Sequence, residues 1–69
     1  MRYNTMHEAV TALLNQTGAI ECAYEVTKQG GSNPEVYLVI GGGEAELGVI
    51  QCIYNEQGET ENAFIVAAY

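Results

Sequence analysis

Aspartate and tryptophan are absent from this chain, and cations nearly so: Arg2 and Lys28 stand against nine glutamates. A formal net charge of −7 repels phosphate, which argues against direct binding to nucleic acid or to an anionic membrane. Histidine occurs once, at His7, and there is no Cys-x-x-Cys pair, so the ligand spacing of a zinc site is missing. The two cysteines, Cys22 and Cys52, each sit in an apolar run, which reads as a pair of small buried hydrophobes rather than a disulfide framework. No apolar run has the length of a membrane span, and the N-terminus lacks the basic-then-apolar layout of a signal peptide. The expectation is a complete small protein of the cytoplasm.

What the chain does contain is apolar. Hydrophobic residues make up 48% of it, so the acidity belongs to a folded domain rather than to a solvated tail. Its 69 residues are enough for a single domain, spanning 1–69. A chain this short buries only about 60% of the surface exposed on unfolding, and such domains often rely on oligomerisation for stability.

Thr5 and Glu8 have the spacing of a capping box, and Met6, Ala9, Val10, Leu13 and Leu14 follow as one helical stripe that Gly18 ends. After Gly18 the period changes to two. Ile20, Cys22, Tyr24 and Val26 alternate with Glu21, Ala23, Glu25 and Thr27, the pattern of a strand with one dry face. Glycine-rich turns then separate runs at Glu35 to Ile40, Glu46 to Tyr54 and Glu61 to Tyr69. Asn55-Glu56-Gln57-Gly58 reads as a turn with Gly58 in the left-handed position. The expected fold is α+β, with one N-terminal helix packed on a four-stranded antiparallel meander.

That arrangement leaves a mismatch. The three later strands are apolar on both faces, which calls for cover on both, while one helix covers only one. The last strand is also expected at an edge, with no charge, proline or glycine from Ala63 to Tyr69 to discourage pairing. Burial against another chain would resolve both points, and a two-fold homodimer is the simplest such arrangement. Tyr37, Val39, Ile50, Tyr54, Ile65 and Tyr69 are the expected self-association or anchor residues, the tyrosines because they join an apolar body to a polar tip.

No catalytic constellation is evident. Gly41-Gly42-Gly43 lacks the lysine and hydroxyl residue of a phosphate-binding loop and runs into Glu44 and a strand. Nucleophilic catalysis by Cys22 or Cys52 with His7 would require distant segments to converge, and Glu59 and Glu61 flank a turn, where carboxylates are solvated. The expectation is a non-enzyme with no cofactor and no bound metal. In composition the chain is similar to the small inhibitory proteins of phages and mobile elements, the anti-CRISPR and anti-restriction classes: tiny, acidic, lysine-poor and without motifs. The likeness implies a binder whose carboxylates occupy a basic, nucleic-acid-holding surface of a host defence protein, within the host cytoplasm. Glu21, Glu25, Glu35, Glu44, Glu46, Glu56, Glu59 and Glu61 are then the partner-binding candidates. The alternative is a homodimeric assembly module, or a binder of a small apolar ligand.

Overall fold

The computed structural model describes residues 2–19, 23–31, 34–58 and 63–69. A short strand, β1 (Arg2–Tyr3), leads into helix α1 (Met6–Thr17); the strands β2 (Tyr24–Gly30), β3 (Glu35–Gly41), β4 (Glu46–Cys52) and β5 (Phe64–Ala68) follow. The helix forms where its capping signals place it. Thr5 is extended and its hydroxyl oxygen accepts the Glu8 amide at 3.1 Å, a contact worth about 1 kcal/mol. Gly18 stops the helix at φ 76°, while the Ala19 amide turns back to the Leu14 carbonyl at 2.9 Å. Ala9, Val10, Leu13 and Leu14 form its buried stripe.

Among the described residues the sheet is antiparallel and has five strands in the order β1-β5-β4-β3-β2. The expected meander is present as β2 to β5, and the expected count of four is corrected by β1. Arg2 pairs with Ile65 and Tyr3 with Phe64, so the start of the last strand is not an edge. A two-residue strand has no room to display a period, and its partner is more than sixty residues away in the chain. Ile20, Glu21 and Cys22, expected to open the first long strand, lie outside the described residues.

Because β1 and β2 occupy opposite edges, the segment joining them has to cross the sheet, and α1 lies on one face of it. It packs chiefly on β5, then on β4 and β1. Val39, Ile50, Cys52 and Phe64 meet its stripe to form the core, with Leu13, Ile50 and Val39 sealed from solvent. Glycine stands at two close contacts of the sheet. The register shifts between Val39, opposite Gly48, and Ile40, opposite Glu46, which makes Leu47 an extra residue whose side chain packs against Gly41. At Gly48 a Cβ would lie 2.5 Å from the Ala67 carbonyl oxygen and 2.9 Å from Leu13 Cδ1.

Candidate protein-binding surface

Directly paired residues share a face of a sheet, so the register alone separates its two sides. The helix side carries Val26, Val39 and Gly48 in one row, Tyr37, Ile50 and Val66 in the next, and Glu35, Cys52, Phe64 and Tyr3 in a third. The opposite side carries Arg2, Ile65, Gln51 and Val36 in one row, then Ala67, Val49, Leu38 and Thr27, then Glu46, Ile40 and Glu25. Val36, Leu38, Ile40, Val49 and Ile65 are all half-buried there, and among the described residues no helix lies over them. The mismatch between apolar area and helical cover is therefore real, but its parity is the reverse of the expected one. Val39 and Ile50 lie under the helix, fully buried, and Tyr37 and Tyr54 pack against the same core. Of the six expected anchors, Ile65 is on the open face. Tyr69 is 73% exposed beyond the end of β5.

The helix reaches β5, β4 and β1 better than it reaches β2 and β3, and on the helix side those two strands carry a polar cluster instead. Glu35 lies at its centre. Lys28 Nζ is 2.8 Å from Oε2, the Tyr37 hydroxyl donates to the same oxygen at 3.0 Å, and the Tyr54 hydroxyl donates to Oε1. The Lys28 hydrogen bond, followed by those from Tyr54 and Tyr37, holds the Glu35 carboxyl down from 4.5 to about 2. The same bonds to Glu35 push Tyr37 and Tyr54 upward, with a contribution to Tyr54 from Cys52. Three donors meet one carboxylate, tying β2 to β3 and to Tyr54, two residues past the end of β4. Expected as part of an acidic docking surface, Glu35 is instead an internal clamp.

A carboxyl whose pKa is lowered by folding contributes stability above its ordinary value and loses it as pH falls. The expected result is a stability difference between the wild type and Glu35→Gln that is full at pH 6 and shrinks between about pH 4.5 and pH 2. Urea unfolding at a series of pH values checks it; a difference that stays constant down to pH 2 would remove the clamp from the account.

The remaining described carboxylates look outward. Glu25 and Glu46 end the third row of the open face, on either side of Ile40. Glu44 is exposed on the turn between β3 and β4, held in the left-handed region at φ 64° beside Gly43 at φ 74°. This turn is the glycine run of the sequence, closed by a 2.7 Å bond from the Gly41 amide to the Ala45 carbonyl. Glu56 is exposed on a second turn, where Gly58 takes φ 79° and its amide bonds the Asn55 carbonyl at 3.0 Å. Glu21, Glu59 and Glu61 lie outside the described residues. His7 is exposed on α1 while Cys52 is buried in the core. Among the described residues no helix is long and apolar enough to cross a membrane.

No family model, curated protein or solved structure matches this chain.

Sequence reasoning missed two features of this surface. One is Arg2, which β1 places on the open face; the other is the withdrawal of Glu35 from the acidic set. The alternation of Glu35 with Tyr37 was visible, but the approach of Lys28 and Tyr54 depends on strand pairing and on the turn into the last connection.

Proposed function

We propose that this chain is a non-enzymatic binding protein that docks through its carboxylates on a basic surface of another protein. One observation carries the reading. Lys28 is committed to Glu35, which leaves the exposed Glu8, Glu25, Glu44, Glu46 and Glu56 opposed by Arg2 alone among the described residues. Such a surface speeds encounter with a cationic partner and disfavours anionic ones. In its narrower form the partner is a host defence protein, and the basic surface is the one that holds DNA or RNA. The composition shared with anti-CRISPR and anti-restriction proteins supports this form, as does the grouping of Glu25, Glu44 and Glu46 at one end of the sheet.

The test is capture of a partner from lysate, followed by titration against salt. Screening shortens the reach of surface charge to about 8 Å at physiological ionic strength, so affinity is expected to fall by about tenfold or more between low and moderate salt. A chain carrying Glu44→Gln, Glu46→Gln and Glu56→Gln is expected to bind more weakly and with a flatter salt dependence. Unchanged affinity in that chain would reject docking by charge.

A further inference from the structure

We infer that the helix-free face of the sheet is the interface of a two-fold homodimer, in which Arg2 of each copy lies over Glu25 of the other. The inference goes beyond the docking of a basic partner and stands on a different observation, the layout of the open face. At its centre is Val49 on β4, surrounded by Leu38, Ile40, Ile65 and Ala67. Arg2 stands two strands to one side of Val49 and one same-face position along; Glu25 stands two strands to the other side and one position back. The two charges thus mark opposite corners of one apolar patch. Among the described residues neither has an ion-pair partner within the chain.

Two faces meeting about a two-fold axis can exchange such corners. An axis between the sheets, passing near Val49 and perpendicular to the Arg2–Glu25 diagonal, sets each arginine on the opposing glutamate and Val49 near its own copy. With ideal strand spacings the strands of the two copies then cross at roughly 70°, closer to the orthogonal than to the aligned class of sheet packing. Both pairs form at once, because the contact is isologous. In this arrangement Glu25 is taken up by Arg2 of the other copy, and the exposed Glu8, Glu44 and Glu56, off this face, are left for the basic partner.

Size sets the expected strength. Three strands of seven residues, one of five and the two-residue β1 present a face of at most roughly 20 by 20 Å, so two such faces bury about 800 Å² before side-chain relief is added, at the lower limit for a specific interface. An interface of that size is expected to associate weakly and reversibly, so that each charge registers.

The experiment is sedimentation equilibrium on the intact chain from about 1 μM to about 1 mM, a range chosen to bracket an interface of that size. Four proteins are compared: the wild type, Arg2→Glu, Glu25→Arg, and both changes in one chain. A concentration-dependent dimer is expected for the wild type. Each single change sets like charges against each other at both corners and should weaken it by at least about tenfold, and the double change should restore it. Circular dichroism confirms that each variant is folded, and Val49→Asp, central on the face, is expected to leave a folded monomer. A wild type that stays monomeric throughout overturns the inference. So does a dimer that survives the single changes, or one that the double change fails to recover. Salt-sensitive capture of a basic partner by a monomeric wild type would overturn the dimer and leave the docking reading intact.

Discussion

Replacing Gly48 with alanine is expected to destabilise the protein by about 1–3 kcal/mol, and valine by more. The sign is not obvious beforehand. Gly48 is a strand residue without positive φ, and glycine-to-alanine changes at such positions commonly stabilise by about 0.4–1 kcal/mol through the unfolded chain. Here the contact decides. A Cβ would stand 2.5 Å from the Ala67 carbonyl oxygen and 2.9 Å from the Ala68 Cα, and both are backbone atoms that β4–β5 pairing holds in place. Relief would require the two strands to separate or the helix to lift. A chain of this size has a total stability of about 3–10 kcal/mol, so the valine variant is expected to be largely unfolded at room temperature. Urea melts followed by far-ultraviolet circular dichroism check the prediction; an alanine variant as stable as the wild type would show that the β4–β5 contact yields freely.

Leu13→Ala is expected to cost about 2–5 kcal/mol. Leu13 is fully buried at the centre of the helical stripe, above Gly48, and its removal leaves a cavity between α1 and β4 that the short helix closes poorly. The two changes should not add. Leu13 Cδ1 is one of the three atoms that crowd a Cβ at position 48, so shortening Leu13 relieves part of the alanine clash there, while the clash with the Ala67 carbonyl remains. The double variant is therefore expected to be more stable than the sum of the single losses implies, by at least about 0.5 kcal/mol. Strict additivity would mean that the helix does not rest on the strand at this point.

These contacts matter for the proposed interface because they hold the sheet that displays it. The open face has no packing partner of its own within the described chain. Its register comes from the strand ladder, and the helix bound to the other side holds that ladder in place. Variants of the helix side act on stability, and variants at Arg2, Glu25 and Val49 act on association; measuring both quantities for each variant keeps the two roles apart.

Much of the architecture was legible in local pattern. The helix carried its own start at Thr5, its stripe from Met6 to Leu14 and its stop at Gly18, all within the single stretch 5–18. The turns at Gly41–Gly43 and Gly58 were marked by residues that accept positive φ, two of which do so. Alternation identified the meander. The excess of apolar surface over helical cover was a matter of counting faces, and it survives in the structure. Which parity was covered did not follow from counting, because both sets of positions on β3 and β4 are apolar, and only the docking of α1 distinguishes Val39 and Ile50 from Leu38 and Val49.

By itself, then, the sequence determined what short-range physics determines: one capped helix, a run of antiparallel strands, an anionic exterior and more oily sheet than one helix can shield. Tertiary structure decided everything that depends on distant residues meeting. It made a strand of Arg2 and Tyr3, turned Glu35 from a surface charge into a clamp, gave Gly48 its steric role and set Arg2 across the open face from Glu25. The reason is that a period or a cap is written in neighbours three or four positions apart, whereas strand pairing and helix docking join residues whose separation along the chain leaves no local trace.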